Sequence, residues 1–462
     1  MRDLDVYLHD ELVAQVTFNA GGTPAMRYVS DDAMALSLSL PNDGSVLKHS
    51  TVQRYFDNLL PDNAATRRQW ADRFAAEHGT RVNPNNPFAL LEYMGHDAAG
   101  AVQVLPTGQV PDNHTGLIRV TDTEVAQRLA DARRAHGSPD AKNGRGAYSL
   151  AGAQSKFALT SFDGGRTFFE PTGAYPSTHI VKPELTDYPD SDLVETISQR
   201  AGHLAGLDYA ETNHVRVGGE GAIVSARFDR EVSRRGQGGY TVSRLHQEDF
   251  AQATGTRPQD KYQADGGPGA VQIARLLEQH ADHDSTLRFV DALAYSWAVA
   301  STDGHAKNYA LVYDQDHRPH LAPVYDVCSF FPFEPERGSR SADGTIYTGP
   351  GLAMSIGGTN QVDVIGERAW RTFAADAGLD EDEVLDHVVR VVHATAPAVD
   401  VAARPHIDRP VVRRLVDRVA DETAKRAESL PSPASTGAVF VSAYVRSDGT
   451  EVAAHYRDRP QR

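Results

Sequence analysis

The residues whose spacing best suits chemistry lie in the stretch 301–308, which reads Ser-Thr-Asp-Gly-His-Ala-Lys-Asn. Asp303 and Asn308 are five positions apart, and Asp326 follows at the predicted end of a hairpin. In phosphotransfer enzymes, an Asp at this spacing takes the proton of the attacking hydroxyl, and the Asn holds magnesium. Two carboxylates and an amide also supply the oxygen ligands that Mg²⁺ prefers. The spacing therefore indicates an ATP-dependent phosphotransferase.

A second group of residues could hold the phosphates of a nucleotide. Residues 149–156 read Ser-Leu-Ala-Gly-Ala-Gln-Ser-Lys, and small residues of this kind let backbone N–H groups approach a phosphate. Residues 178–183 are predicted to form a strand that carries Lys182 near its end. A solvated lysine on an edge strand is the alternative reading of that pattern. The carboxylates that could orient this lysine are Glu195, Glu184 and Asp192, which sequence position does not separate.

The elements that must position the catalytic stretch are a helix and a hairpin. Apolar residues recur at helical spacing over 287–297, so a buried helix is predicted to lead into Asp303. Residues 309–326 are predicted to form a hairpin that returns Asp326 to the same place. Upstream, the stretch 245–250 is predicted to open another helix.

The two ends of the chain are predicted to form units of their own. The first 106 residues contain a predicted hairpin that turns at His9-Asp10, a short strand at 37–41 and amphipathic helices. Residues 365–427 carry the apolar spacing of a helical bundle. After a linker that begins at residue 431, a hairpin on an Asp-Gly turn is predicted.

Composition limits the function classes. With 462 residues, 40% of them hydrophobic and 23% charged, the chain reads as a globular protein of two or more packed units. A formal net charge of -16 argues against a free-standing nucleic-acid binder, which needs Lys and Arg at phosphates. The sequence contains no signal-peptide pattern and no run long enough to span a bilayer. Cys328 is the single cysteine, which excludes an internal disulfide and is expected in a reducing cytoplasm.

Several motifs follow one another along the chain in a set order: 149–156, 179–182, 227–230, 245–249, 261–269, 302–308 and 325–326. The stretch Phe-Asp-Asn-Leu-Leu-Pro at 56–61 precedes them. This ordered set resembles the HipA-like toxin kinases of type II toxin–antitoxin modules, over most of residues 1 to about 425. The resemblance implies an α+β, two-lobed protein-kinase-like fold with a small N-terminal α+β subdomain, a helical C-terminal lobe, and ATP and Mg²⁺ in the cleft.

The resemblance also implies roles for individual residues. Asp303 would be the catalytic base, Asn308 and Asp326 the magnesium ligands, and Lys182 a contact of the nucleotide phosphates. The loop over those phosphates would consist of Ala151, Gly152, Ala153, Gln154, Ser155 and Lys156. Further nucleotide contacts are expected from Arg227, Phe228, His305 and Lys307. The serine that family members phosphorylate on themselves corresponds to Ser149.

The implied function is a cytoplasmic serine/threonine protein kinase that phosphorylates a serine of an aminoacyl-tRNA synthetase, so that translation and growth stall. The implied partner is a small helix-turn-helix antitoxin similar to HipB, which binds operator DNA and sequesters the kinase. The expected domains are an N-terminal subdomain (1–106), the rest of the N-lobe (107–228), a C-lobe (229–430) and a tail (431–462).

Three alternatives stay open at the level of sequence. The first is a kinase of a lipid or small molecule, because His305 stands two residues after Asp303, where ordinary protein kinases carry lysine. The second is a catalytically silent kinase fold that acts as a binding module. The third is a scaffold in a repressor complex, in which the acidic chain leaves DNA contacts to its partner.

Overall fold

The structure, a computed structural model, describes residues 2–112, 116–135, 156–235, 239–340, 346–431, 438–441, 443–446 and 448–458. The first unit is a four-stranded antiparallel sheet in the order β3-β2-β1-β4, packed against three helices. Its strands are β1 (Leu4–Leu8), β2 (Glu11–Phe18), β3 (Pro24–Tyr28) and β4 (Val102–Pro106). Its helices are α1 (His49–Asn58), α2 (Ala64–His78) and α3 (Pro87–Met94).

Two sequence predictions for this unit have different outcomes. The hairpin is confirmed, and it turns at His9 and Asp10, whose φ angles of 51° and 66° are typical of tight two-residue turns. The strand predicted at 37–41 is wrong, because only a single bridge joins Ser37 to Leu40. Ser37 and the backbone N–H of Leu38 instead donate hydrogen bonds to a distant carboxylate, that of Glu248. A tertiary contact therefore takes the place of a strand ladder.

The second sheet carries the predicted lysine strand. Its order is β6-β8-β10-β9, and β5 pairs separately with β7. The elements of this part are β5 (Leu117–Val120), α4 (Asp122–Ala135), β6 (Phe157–Leu159), β7 (Phe168–Pro171), β8 (His179–Pro183), α5 (Ser191–Leu204), β9 (Thr212–Val217) and β10 (Glu220–Ala226). Lys182 lies on β8, between β6 and β10, opposite Ile223. The alternative of a solvated edge-strand lysine is thus excluded.

The rest of the chain is mainly helical. Its strands are β11 (Arg230–Arg234), β12 (Tyr240–Arg244), β13 (Gln247–Asp249), β14 (Ala310–Tyr313), β15 (Pro319–Leu321), β16 (Gly351–Ile356) and β17 (Thr359–Gln361). Its helices are α6 (Phe250–Ala253), α7 (Ala270–His280), α8 (His283–Ala298), α9 (Glu367–Ala377), α10 (Glu381–Ala403) and α11 (Pro410–Glu428). The helix predicted to open at residue 245 is corrected, since that stretch supplies β13 and the helix begins only at Phe250.

Helix α8 is the buried helix that the sequence predicted. Phe289, Tyr295 and Trp297 are fully buried, and the indole N–H of Trp297 donates to the backbone oxygen of Val362 at 2.9 Å. The long helix α10 packs against α5, α8 and α11, and α5 in turn packs against β9 and β10 of the sheet that carries Lys182. Such packing gives the catalytic stretch after α8 a stiff support.

The C-terminal tail folds back onto this core. Strands β18 (Ala438–Val441) and β21 (His455–Asp458) pair around an inner hairpin of β19 (Tyr444–Val445) and β20 (Glu451–Val452). The backbone N–H of Ala454 donates to the carbonyl of Leu204 at 2.7 Å, and Arg200 forms an ion pair with Glu451. The tail thus docks on the C-terminal half of α5. Across the described ranges, no helix is both long enough and apolar enough to cross a membrane.

A buried ionic cluster joins the first unit to Ser177 and to three arginines in the stretch 227–244. The carboxylate of Asp97, just after α3, lies 2.9 Å from Arg230 and within 3.5 Å of Arg227 and Arg244. It also accepts hydrogen bonds from the backbone N–H and the hydroxyl of Ser177, at 3.1 and 2.6 Å. Charges that are removed from water are costly unless they are paired. The Asp97 carboxylate therefore compensates part of the free-energy cost of burying the neighbouring guanidinium groups.

We predict that Asp97→Ala lowers the free energy of unfolding by about 3–5 kcal/mol, because it removes one of the two carboxylates, Asp97 and Asp229, that compensate the buried arginines. The matched control is Asp400→Ala, which breaks an exposed pair with Arg404 and should cost less than about 1 kcal/mol. Urea unfolding followed by tryptophan fluorescence measures both values. Equal unfolding midpoints for the two variants would contradict the assigned importance of the cluster.

Candidate active site

The catalytic stretch leaves α8 through Ala300, which adopts a left-handed φ of 51°. A 3₁₀ turn at Ala306–Asn308 then orients the Asn308 side chain, whose amide N–H donates to the backbone oxygen of Asp303 at 2.8 Å. This bond uses the amide nitrogen of Asn308 and leaves its oxygen for another partner. The carboxylate of Asp303 is exposed beside the cleft, while Asn308 and Asp326 line the cleft itself.

The ammonium group of Lys182 is shared by two carboxylates. Its Nζ lies 2.9 Å from Glu195 Oε1 and 2.5 Å from Asp326 Oδ1, and only 5% of the residue is exposed. Burial alone would lower the pKa of Lys182, but Asp326 and Glu195 outweigh that effect and raise the pKa above its ordinary value. The lysine is therefore charged at every physiological pH.

The carboxylate that orients Lys182 is Glu195, one of three that the sequence left open. The other two have different partners: Asp192 pairs with His214 at 2.9 Å, and Glu184 lies 3.4 Å from Arg133. Burial raises the pKa of Glu195, and Lys182 opposes that rise. Asp326 shows the reverse balance, since burial favours its neutral form but Lys182 and Lys156 hold its pKa below its ordinary value.

Asp326 adopts an uncommon backbone conformation. Its φ angle is 62°, in the left-handed region that residues other than glycine seldom occupy. Such conformations cost free energy and persist where the surrounding structure enforces them, which is frequently at functional sites. The neighbouring Tyr325 supplies part of that constraint, because its hydroxyl donates to the backbone oxygen of Lys307 at 2.8 Å.

The cleft that Lys182, Asn308 and Asp326 line has an empty volume of about 910 Å³, open solvent at its mouth included. One end is apolar, with Ile180, Phe228 and Tyr325; the last two rings stack with centroids 5.4 Å apart. The backbone N–H of Phe228 makes no hydrogen bond to the described residues. A flat ring with a hydrogen-bond acceptor, such as adenine, fits this end.

The other end of the cleft is charged. Lys156 and Lys182 line it together with Asn308 and Asp326. Burial lowers the pKa of Lys156 to about 8, although Asp326 partly opposes this shift. Two amino groups opposite a carboxylate and an amide oxygen form a suitable arrangement for the phosphates of a nucleotide and its magnesium ion. The polarity of the cleft thus matches that of ATP.

The donor set fits Mg²⁺. The free oxygen of Asn308 and the carboxylate of Asp326 are hard oxygen ligands, and magnesium in phosphotransfer sites binds one or two carboxylates plus substrate phosphates. Within the described part of the chain, no group of three or more His, Cys, Asp or Glu could hold a metal by itself. The phosphates of a bound nucleotide would therefore have to complete the coordination.

Two of the predicted nucleotide-contact residues, Arg227 and Lys307, line the cleft but have side-chain charges that are already engaged within the protein. The Arg227 guanidinium points into the ionic cluster, where it donates to Asp229, Ser177 and the backbone of Ala98. Arg227 lines the cleft, but its charge is already engaged there. A guanidinium with buried partners of this kind would not be expected to leave them for a nucleotide.

The Lys307 ammonium is engaged as well. It donates to the backbone oxygen and Oδ1 of Asn58 at 3.2 and 3.0 Å, and to Asp62 at 3.0 Å. These bonds use all three of its protons, so none is left for a phosphate. The expected role of its side chain at the nucleotide is therefore not supported.

His305 lies in the cleft wall and is neutral. Burial, helped by the positive charge of Lys261, lowers the pKa of His305 to about 3. Its Nδ1 is buried and has no hydrogen-bond partner among the described residues. A bound ligand could supply that partner. The remaining predicted residues, Ser149 and the loop Ala151–Ser155, lie outside the described residues.

Sequence reasoning gave no role to two residues that contact the catalytic stretch. Asp62, from the first unit, bridges Lys307 and Lys261 at 3.0 and 2.9 Å. Tyr262 donates its hydroxyl proton to Asp303 Oδ1 at 2.5 Å. Both residues lie in or next to stretches that carried the family resemblance, at 56–61 and 261–269, and this adjacency was the signal available in the sequence.

Comparison with known proteins agrees with this geometry. Residues 148–399, more than half of the chain, match the family described as HipA-like C-terminal domain, and residues 4–105 match the HipA N-terminal domain. The Sinorhizobium fredii protein Y4mE is 29% identical over 448 residues, which cover 93% of this chain and 98% of Y4mE. The serine/threonine-protein kinase toxin HipA of Shewanella oneidensis is 29% identical over 348 residues, which cover 72% of this chain and 76% of that toxin.

A solved structure has the same fold. It is the complex of HipA, HipB and operator DNA from Shewanella oneidensis, one chain of which superposes with a TM-score of 0.73 at 23% identity. The match covers 92% of this chain and 99% of the other. The α+β, kinase-like fold expected from the sequence is thereby confirmed.

The Asp62 bridge leads to a pH-dependent prediction. Burial alone would raise the pKa of Asp62, but Lys307 and Lys261 outweigh it and lower the pKa from 3.8 to about 2. A carboxyl whose pKa falls on folding adds stability above its unfolded pKa, and the protein loses that stability as the pH falls through the folded value. Two pKa units correspond to roughly 2–3 kcal/mol at neutral pH.

We therefore expect Asp62→Asn to be less stable than the unaltered chain by at least roughly 2 kcal/mol at pH 7. The difference should narrow as the pH falls from 5 towards 3. Urea unfolding over that pH range measures it. Asp260→Asn, which breaks only the pair with the exposed Arg257, is the neighbouring control and should stay close to the unaltered chain throughout. A difference that does not change with pH would show that the bridge is not ionic.

Proposed function

The chain belongs to the HipA family of kinases, and we propose that it is a Mg²⁺- and ATP-dependent serine/threonine protein kinase that acts as the toxin of a toxin–antitoxin pair. One observation carries the proposal: Lys182, oriented by Glu195, stands beside Asp326 in a cleft that also contains Asn308. Asp303 lies at the edge of that cleft, where a protein substrate could reach it.

In this proposal, the cleft binds ATP with its adenine between Phe228 and Ile180. Lys182 and Lys156 contact the phosphates, and the loop Ala151–Lys156 covers them. Asn308 and Asp326 hold Mg²⁺, which when bound supplies positive charge to the phosphate oxygens. Asp326 contacts Lys182 in this structure. With nucleotide and metal bound, its carboxylate would have to bind both the Lys182 ammonium group and the metal ion.

The chemical step is an in-line transfer. Asp303 accepts the proton of a serine or threonine hydroxyl as its oxygen forms a bond to the γ-phosphorus. The bond between that phosphorus and the β–γ bridging oxygen breaks, and ADP leaves with the electron pair. Lys182 offsets the negative charge on the departing phosphates, and its burial strengthens that interaction. The protein thus acts mainly by holding the two reactants in line.

The biological setting of the proposal comes from the relatives. One relative is named a kinase toxin, and the similar solved structure is a complex with HipB and operator DNA. We propose a HipB-like helix-turn-helix antitoxin as partner, through which operator DNA is reached, because this chain carries a net charge of -16. The proposed substrate is a serine of an aminoacyl-tRNA synthetase in the cytoplasm, whose modification would arrest growth.

The proposed domain division follows the same family pattern. An N-terminal subdomain covers 1–106, the remainder of the N-lobe 107–228, a C-lobe 229–430 and a tail 431–462. The hydrogen bonds of Ser37, Leu38, Asn58 and Asp62 to later parts of the chain support a working role for the first of these units. That unit would form part of the active enzyme and not an independent module.

The deciding experiment compares the unaltered chain with Asp303→Asn, incubated with Mg²⁺ and γ-labelled ATP in a cell lysate. We expect label on a discrete protein band, and a loss of about 10²–10⁴-fold in the variant, since the base is removed. The dissociation constant for ATP should change little. Label in the lipid fraction would favour the lipid-kinase alternative, and equal transfer by both proteins would refute the role of Asp303.

A second prediction concerns self-modification. We propose that Ser149 is autophosphorylated, and that its added charge of about −1.5 to −2 disfavours the binding of ATP. The intact mass should rise by one phosphate after incubation with Mg-ATP, and the treated protein should bind ATP more weakly. Ser149→Ala is the matched control and should gain no mass. A mass gain that persists in this variant would place the modification elsewhere.

A further inference from the structure

The turn at residues 261–269 lies directly against the catalytic stretch. Tyr262 donates its hydroxyl proton to Asp303 Oδ1 at 2.5 Å, a short bond to a charged acceptor. Burial, together with the Asp303 carboxylate, raises the pKa of the Tyr262 phenol, so the phenol keeps the proton that it donates. The bond engages one carboxylate oxygen of Asp303 and leaves the other without a partner from this turn.

The turn that carries Tyr262 is rigid. The backbone oxygen of Tyr262 accepts hydrogen bonds from the N–H groups of Asp265 and Gly267, at 3.0 and 2.9 Å. A Cβ atom at Gly267 would lie 2.2 Å from the backbone oxygen of Asp260, so this close approach requires glycine. On the far side, Gln263 Oε1 accepts from the backbone N–H of Ser355 at 2.7 Å.

The turn is also fixed to the catalytic stretch at two further points. The backbone N–H of Ala306 donates to the oxygen of Lys261 at 3.3 Å. The ring of Tyr262 meets that of His305 edge to face, with centroids 4.9 Å apart. Tyr262 is therefore held in place by a ring contact with His305 and by the backbone hydrogen bond of its neighbour Lys261. A tyrosine held in this way can orient a neighbouring group. It is less suited to act as a plug, that is, as a side chain that blocks Asp303 and swings away when substrate binds.

We infer that Tyr262 is a positioning residue for phosphoryl transfer, which holds the Asp303 carboxylate with one oxygen turned towards the acceptor hydroxyl. The inference rests on the proposed kinase activity. An exposed aspartate side chain otherwise rotates freely, and misplacement of a base by about 1 Å can cost two orders of magnitude in rate. Asn308 fixes the backbone of Asp303, and Tyr262 fixes its side chain.

The test is Tyr262→Phe, which keeps the ring against His305 and removes only the hydroxyl. We expect kcat to fall about 10–100-fold, because a hydrogen bond to a charged group is lost. The KM and the dissociation constant for ATP, and the urea unfolding midpoint, should stay near those of the unaltered chain. The matched control is Tyr444→Phe, which removes the hydroxyl of an exposed tyrosine in the tail and should leave kcat unchanged.

Three outcomes would overturn the inference. A kcat within twofold of the unaltered chain would show that the hydrogen bond does not matter, and an increased kcat would show that Tyr262 is a plug. A loss carried by KM or by the unfolding midpoint would indicate a purely structural role.

A double variant gives an independent reading. In an Asp303→Asn background, Tyr262→Phe should cause little further loss, because the group that it positions is absent. A full additional loss in that background would contradict the inference. The two proposals fail separately: if the unaltered chain transfers phosphate and Asp303→Asn does not, an unimpaired Tyr262→Phe removes only this inference. If the unaltered chain transfers no phosphate to any protein, both fall.

Discussion

One buried ammonium group, that of Lys182, sets the requirements for the rest of the structure. Removing a positive charge from water is unfavourable, and Glu195 and Asp326 together compensate for it. The two carboxylates respond differently to this site: burial raises the pKa of Glu195, whereas Lys182 and Lys156 hold the pKa of Asp326 below its ordinary value. The sheet that carries the lysine, the helix that carries the glutamate and the ribbon that returns the aspartate all have to fit this one contact.

The second constraint is the attachment of the first unit to the catalytic stretch. Asn58 and Asp62 accept three hydrogen bonds from the Lys307 ammonium group. The first unit thereby fixes the turn between Asp303 and Asn308. The cluster around Asp97 similarly fixes the backbone beside Phe228. Both attachments are buried ion pairs, which are poor sources of net stability but specific in geometry. The first unit therefore contributes to the shape of the cleft from two sides.

The sequence predicted what depends on local spacing. The interval between Asp303 and Asn308, the helix before it, the hairpin after it and the strand of Lys182 are all encoded within a few residues. It did not predict partners that lie far along the chain. Asp62 is 245 positions from Lys307. Glu195 could be distinguished from Glu184 and Asp192 as the partner of Lys182 only from the position of α5 in the fold. Nor did it predict that carboxylates elsewhere in the chain, Asp97 and Asp62, engage the charges of Arg227 and Lys307. The strand predicted at 37–41 shows the same limit, because Glu248 takes its hydrogen bonds.

The tail has a consequence for how the kinase could be controlled. Arg200 and Leu204, its contacts, lie one to three turns beyond Glu195 on the same helix. The C-terminal tail therefore packs against the end of α5, the helix that holds Glu195 next to Lys182. Proteolysis before the tail, or a ligand that displaces the tail, would remove its contacts with α5. The helix would then hold Glu195 less firmly next to Lys182. Loss of these contacts would therefore change the support of Glu195 through α5 alone, without any direct change in the cleft.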